Sequence, residues 1–276
     1  MGTIADKLNL LLKTKNEIRS ALIAQGQDMP DNLPFSEYSE KVRAIPVGGN
    51  DVTLHQLPEG TVILLPENGV ATWFYILKHD YEPELNGYGR TLMMRKDSYV
   101  KQTWNATLVN TYASSSVDAW LNGEYKTLLD ADLQQKIGTT KFYYTPMGGD
   151  IEVSILERSV FLVSVTETGL TEPTPYYNTE GSTIPVLTSI HLSTFINNTG
   201  ASGYWTRSPY VEDTKHVYIV NTNSKGLYCS NASVSSASYV PRPCFTLPSD
   251  YAIPNISSKM VFQAVIADSD EAIEIV

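Results

Sequence analysis

The chain has 276 residues, 42% of them hydrophobic and 18% charged, which is enough for one large domain with a small appendage. Its formal net charge is −10 and it contains no basic run, so nucleic acid and anionic membrane surfaces are excluded as expected partners. We find neither a signal peptide nor an apolar stretch of the roughly 20 residues that a membrane span needs.

The chain begins with a predicted amphipathic helix. Thr3 with Asp6 predicts its N-cap and Gly26 its C′ residue, which gives a length of about 22 residues. Lys and Glu fill one face of this helix. The other face carries an apolar stripe with a period near 3.6, formed by Ile4, Leu8, Leu11, Leu12, Ile18 and Leu22.

A break and a linker separate this helix from the rest of the chain. The Pro- and Asn-rich stretch 29–34 interrupts the helix, and 46–51 is typical of a linker. A lone amphipathic helix needs a partner for its stripe, by self-association, by docking on another protein or by packing on the main domain. The Pro- and Asn-rich break favours self-association or docking on another protein. Between break and linker lies a second short amphipathic piece with Phe35, Tyr38, Val42 and Ile45.

From residue 52 the pattern changes to short apolar runs separated by turn residues. Residues 116–137 predict two short helices, and 183–196 predict a further helix or an irregular segment. We therefore predict an α+β domain over 51–276, with antiparallel strands and a few helices, after a helical segment and linker over 1–50. The predicted strands are 62–65, 73–77, 91–94, 160–165, several short strands over 204–247, and 260–266.

The residues that usually carry catalysis or bind metals form no recognisable motif. The histidines at 55, 79, 191 and 216 are isolated, and none has the spacing of a metal site or of a nucleophile motif. Cys229 and Cys244 either remain free or pair if their strands are neighbours; since nothing indicates an oxidising compartment, free thiols are favoured. We predict no catalytic residue, no cofactor and no metal ion.

Several motifs of this chain carry a resemblance to known proteins. Residues 7–45 resemble a short helical module at the start of many phage tail and minor structural proteins. The stretch 55–250 resembles a domain family common in phages, prophages and cell-surface proteins of Firmicutes. Its hallmarks here are Ser115-x-x-Asp118-x-Trp120-Leu121-Asn122, Val160-Phe161-Leu162-Val163-Ser164-x-x-Glu167, Tyr204-Trp205-x-Arg207-Ser208-Pro209 and Val240-Pro241-Arg242-Pro243-Cys244-Phe245.

This resemblance implies a C-type-lectin-like fold, shared by formylglycine-generating enzymes and by phage tropism proteins that retroelements diversify. It implies that Trp120, Trp205, Arg207 and Arg242 are structural anchors, with arginines stacked on rings and donating to backbone carbonyls. The usual ending of the family is Gly-Val-Arg-Pro. Here 239–243 reads Tyr-Val-Pro-Arg-Pro, so the turn before the last core strand is expected to differ.

Between the last two motifs lies a stretch rich in small polar and aromatic residues, which is typical of paratope-like surfaces. In the tropism proteins the corresponding region displays variable side chains, although ordinary surface loops have the same composition. The expected ligand-binding residues are Tyr210, Tyr218, Asn221, Asn223, Tyr228, Asn231, Ser233, Ser235, Ser236, Ser238 and Tyr239.

The resemblance predicts a non-catalytic receptor-binding protein of a phage or prophage tail, made in the bacterial cytoplasm without a signal peptide. Its expected partners are a host cell-surface protein or glycan, other tail proteins through the N-terminal helix, and further copies of itself, with a trimer as one option. A structural tail or baseplate component is the alternative, and a carbohydrate-active enzyme is the third reading.

Overall fold

The computed structural model divides the chain into two compact units, residues 1–51 and residues 52–276. The predicted N-cap, the predicted C′ residue, the linker and His191 lie outside the described residues. The structure describes residues 4–24, 29–30, 32–38, 41, 52–149, 152–170, 177–189, 199–223, 226–253 and 263–264.

The N-terminal unit consists of helix α1 (Ile4–Ala24) and a short 3-10 helix (Phe35–Glu37). The prediction of an N-terminal helix is confirmed. The C-terminal part of α1 packs on the segment that follows it: the guanidinium of Arg19 donates to the Met29 carbonyl at 2.6 and 3.1 Å. A small apolar cluster forms there from Leu22, Met29 and Tyr38, with Ile18 and Leu33 packed against it.

The described residues of the second unit form three β-sheets, in which nearly all strand pairs are antiparallel. The first has the strand order β10-β3-β2-β1-β11, the second pairs β4 with β5, and the third has the order β8-β7-β6-β9, where β6 and β9 are parallel. The strands are β1 (Thr61–Glu67), β2 (Val70–Lys78), β3 (Arg90–Arg95), β4 (Thr140–Tyr144), β5 (Ser154–Arg158), β6 (Gly203–Pro209), β7 (His216–Asn223), β8 (Gly226–Ser233), β9 (Tyr239–Val240), β10 (Cys244–Pro248) and β11 (Gln263–Ala264).

Short helices connect these strands. The prediction of helices within 116–137 is confirmed, although the first of them continues through a π-helical turn (Leu121–Tyr125). Among the described residues the α-helices of this unit are α2 (Pro83–Asn86), α3 (Ser116–Trp120), α4 (Lys126–Leu128), α5 (Ala131–Lys136), α6 (Val165–Thr168) and α7 (Pro185–Ser189), with 3-10 turns at Leu54–Gln56 and Tyr112–Ser114. The architecture is therefore α+β, with antiparallel sheets and a few short helices.

The first three predicted strands are confirmed as parts of β1, β2 and β3. The prediction of a strand at 160–165 is wrong. This apolar run is fully buried, but it makes only one bridge, between Phe161 and Cys244. Other backbone groups of this run form hydrogen bonds with side chains and not with a neighbouring strand. The Tyr112 hydroxyl accepts from the Leu162 N–H at 3.0 Å, and Arg207 donates to the Leu162 carbonyl at 2.8 Å. Buried polar side chains here take the place of a neighbouring strand.

Candidate ligand-binding surface

Arg207 is the centre of a buried polar cluster that fixes the interior of the domain. Its guanidinium binds the Glu167 carboxylate through two nitrogens, at 2.7 and 2.9 Å, and both side chains are fully buried. It also donates to the carbonyls of Tyr143 and Leu162. Burial lowers the pKa of Arg207, but the Glu167 carboxylate more than offsets this, so the pKa lies above its ordinary value.

Glu167 has a local role as well as a long-range one. It is the N3 residue of α6, where its carboxylate accepts from the Ser164 N–H at 2.7 Å while the Ser164 hydroxyl accepts from the Glu167 N–H at 3.1 Å. This capping box holds the glutamate in the orientation in which it meets Arg207. The Tyr81 hydroxyl donates to the same carboxylate at 2.5 Å.

Arg242 is the second buried arginine. Its Nη2 donates to the carbonyls of Arg95 and Lys96 at 2.7 and 2.8 Å, and its guanidinium carbon lies 5.2 Å from the centroid of the Tyr204 ring. Burial lowers the pKa of Arg242 to about 10, so the group remains protonated at neutral pH. Arg242 therefore joins the end of β3 to β6, as expected of an anchor.

Of the two tryptophans that were expected to be anchors, only one is fully buried. Trp205 is fully buried and donates from its indole N–H to the Gln102 carbonyl at 2.7 Å. Trp120 is only partly buried; its ring stacks on Tyr99 and lies tilted against Tyr125. The fully buried counterpart is Trp104, which donates to the Thr206 carbonyl at 2.9 Å. Its position in an Asn- and Thr-rich stretch gave no periodicity by which the sequence could have identified it.

The strand register places part of the expected ligand-binding set in one row across the four-stranded sheet. Tyr228 pairs with Asn221, Asn221 pairs with Gly203, and Gly203 pairs with Tyr239. Paired residues share one face of a sheet, and adjacent strands lie about 4.8 Å apart, so this row spans about 15 Å. Tyr228, Asn221 and Tyr239 are all partly exposed. We call these four residues the tyrosine row.

Packing fixes one end and the middle of the tyrosine row. The Tyr239 ring packs edge-on against buried Trp205, with centroids 4.9 Å apart. Burial raises the pKa of Tyr239, and the Tyr228 phenol acts in the same direction. At the centre, a Cβ on Gly203 would lie 2.2 Å from the Val220 carbonyl oxygen, so only glycine fits there. Sequence reasoning missed Gly203, although a glycine inside a strand indicates such a close approach.

Two expected residues lie on the other face of the same sheet. Tyr218 pairs with Asn231, and each lies three positions along its strand from the tyrosine row. Because this offset is odd, both side chains point to the opposite side. Tyr218 is fully buried, in a cluster with Val165 and Cys229, so the expectation that it contacts a ligand needs correction. Asn231 is exposed on that opposite face. Successive side chains of a strand point to opposite faces, so these two residues do not share a face with Tyr228. Composition alone does not reveal this.

The remaining expected residues flank the sheet. Tyr210 is partly exposed and donates to Glu212 at 2.8 Å. The four serines lie at the end of β8 and in its connection to β9, where a local bond joins the hydroxyls of Ser233 and Ser235 at 3.0 Å. Ser235 and Ser238 are exposed, and Ser233 and Ser236 are partly buried. The side chain of Asn223 lies outside the described residues.

The comparisons with known proteins concern the same part of the chain. Residues 88–249, more than half of the chain, match a domain of unknown function, DUF6273. The chain belongs to the DUF6273 family. The matched residues include the tyrosine row, both buried arginines and all four motifs quoted from the sequence. No curated protein and no solved structure shows a significant match.

Two histidines of this DUF6273 protein make hydrogen bonds within the domain. His79 bonds to Thr91 through Nδ1 and to the Leu57 carbonyl through Nε2, while His216 Nδ1 contacts Asp213 at 2.6 Å. Cys229 and Cys244 are buried and form no disulfide. Within the described ranges, no three His, Cys, Asp or Glu side chains are grouped so that they could hold a metal ion. Within the same ranges, no helix is long and apolar enough to cross a membrane.

Proposed function

We propose that residues 52–276 form a non-catalytic binding domain that presents the tyrosine row to a ligand on the host cell surface. The observation that carries the proposal is the row itself: two partly exposed tyrosines and an asparagine, one tyrosine packed against a buried tryptophan. Tyrosine suits this role because it offers a large contact area and loses little conformational entropy on binding. A few such aromatic anchors, with polar groups around them, supply most of the affinity of a typical interface.

Rigidity of the scaffold supports the same proposal. Within the same unit, Arg207 and Arg242 bond to backbone carbonyls and to the Glu167 carboxylate, and these partners come from three separate segments of the chain. A surface held in this way binds without first ordering itself, which reduces the entropic cost of association. The exposed serines next to Tyr239 add hydrogen-bonding groups that adapt to different ligands.

We further propose a variant of the C-type-lectin-like fold and a location in a phage or prophage tail, with synthesis in the bacterial cytoplasm. Both rest on the resemblance described above. The order of the four motifs supports the fold, and the resemblance of the first 45 residues to a tail module supports the location. On this proposal, the N-terminal helix attaches the protein to the tail, the ligand is a host protein or glycan, and the Tyr-, Asn- and Ser-rich region is a candidate for retroelement diversification.

The tyrosine row is tested by alanine variants and two matched controls. Tyr228→Ala and Tyr239→Ala are expected to abolish adsorption of the particle, or of the purified chain, to host cells. Asn231→Ala changes the same strand on the opposite face, and Tyr88→Ala removes a highly exposed tyrosine elsewhere on the unit. Both controls are expected to adsorb normally.

The outcome also separates the rival functions. Particles that assemble normally but do not adsorb support receptor binding. Loss of assembly in the row variants indicates a structural tail component instead. Release of soluble sugar from host cell-wall polysaccharide by the purified chain would establish an enzyme and overturn the proposal.

A further inference from the structure

The N-terminal half of α1 exposes large apolar side chains. Ile4 is 87% exposed, Leu8 57%, Leu11 62% and Leu12 49%, whereas Leu22 near the end of the same helix is only 4% exposed. Single exposed apolar residues are ordinary, but four of them within nine residues of one helix form a continuous stripe. This stripe is distinct from the tyrosine row, which belongs to the other unit.

The spacing of this stripe is that of a coiled coil. Ile4, Leu8, Leu11, position 15, Ile18 and Leu22 are separated alternately by four and three residues. This alternation has a mean period of 3.5, which keeps a seam facing a second helix along its whole length. In heptad notation Ile4, Leu11 and Ile18 occupy d positions, and Leu8 and Leu22 occupy a positions.

Lys15 marks the point at which the environment of the seam changes. It occupies an a position, and its ammonium lies 5.8 Å from the centroid of the Tyr38 ring. Beyond it, Ile18 and Leu22 pack on Met29, Leu33 and Tyr38 of the same unit. Before it, the same apolar pattern continues with the side chains exposed. The unit therefore covers half of its own seam and leaves residues 4–12 for another helix.

The flanking positions fit an identical helix. In a parallel pair, each g position faces the next e position of the partner. Here Lys7 at g faces Leu12 at e, so no like charges oppose each other over residues 4–12. At the next a position Lys15 would face Lys15 of the partner helix, so the seam ends before it. The aliphatic part of Lys7 covers apolar surface such as Leu12. Leu12, at an e position, widens the apolar stripe beyond the a and d positions. Each copy of the helix therefore has the same wide apolar surface.

We infer that residues 4–12 of α1 associate with the same residues of further copies of this chain in a short parallel coiled coil. The association is independent of the proposed ligand. If the tyrosine row binds a ligand on a cell surface, self-association adds multivalency, which increases apparent affinity by about 10²- to 10⁴-fold without any new contact.

The test compares the mass of the full chain in solution with that of two variants. The wild-type chain is expected to show a multiple of the monomer mass in light scattering at micromolar concentrations. The double variant L8K and L11K is expected to be monomeric. The control N9K and N16K adds the same charge at two exposed b positions and is expected to keep the wild-type mass.

A cross-link keeps the test decisive even if the double variant unfolds. L11C places a thiol in the seam and is expected to form an interchain disulfide on mild oxidation, since Cys229 and Cys244 are buried. N9C, outside the seam, is expected not to do so. A monomeric wild type, or equal cross-linking of L11C and N9C, overturns the inference; host adsorption by a monomeric chain would leave the proposed ligand surface intact.

Discussion

Replacing Glu167 with glutamine tests whether the buried ion pair fixes this fold. The substitution E167Q would keep the volume of the side chain but remove the charge that faces Arg207, whose guanidinium is fully buried. Breaking one partner of such a pair costs about 3–5 kcal/mol, because it leaves an uncompensated charge in the interior. The free energy of unfolding of an ordinary domain is about 5–15 kcal/mol, so E167Q is expected to lose about a fifth of it or more.

Several bonds would also have to change. The carboxylate of Glu167 accepts from Arg207, from the Tyr81 hydroxyl and from the Ser164 N–H. An amide has one acceptor oxygen, so at least one of these donors would meet the amide NH₂ group instead. This local mismatch is expected to lower the stability of the variant further, in addition to the effect of the lost charge.

The assay is urea unfolding followed by tryptophan fluorescence. All four tryptophans lie within 52–276, so the signal reports on that unit alone. The matched control is D118N, which neutralises the Asp118–Arg158 pair, in which Arg158 is 27% exposed. We expect a loss of about 1 kcal/mol or less for this partly exposed pair. If E167Q unfolds within about 1 kcal/mol of the wild type, the reasoning on the buried pair is refuted.

Three further predictions follow from single sites. G203A is expected to destabilise the second unit by about 1–3 kcal/mol, because the new Cβ meets the Val220 carbonyl; unchanged urea unfolding would contradict this. Burial raises the pKa of Glu180 above its ordinary value near 4.5, so its ionisation opposes folding: the stabilising contribution is complete below pH about 4.5 and is lost as the pH rises through the folded pKa. E180Q should therefore gain stability relative to the wild type as the pH rises above about 4.5, and a pH-independent difference in unfolding free energy would refute the assignment. Burial raises the pKa of the Cys244 thiol, and Cys229 is also buried, so both should react with a thiol reagent only after urea is added; rapid labelling of the native chain would show that one is accessible.

The sequence by itself determined the local elements and the anchors. The 3.6-residue period identified α1, and short apolar runs identified β1, β2 and β3, because these patterns arise within the elements themselves. Arg207, Arg242 and Trp205 were identified through motifs, and their burial and bonds agree with anchor roles. Trp120 was placed as an anchor by the same argument, but it is only partly buried.

Only the tertiary structure decided which polar residues form a common surface. Tyr228 and Asn231 lie three residues apart in one strand and look equivalent in composition, yet the pleat turns them to opposite faces. The same holds for the run at 160–165, where hydrogen bonds from distant side chains replace a neighbouring strand. Pairing partners and buried donors come from parts of the chain far away in sequence, so no local pattern records them.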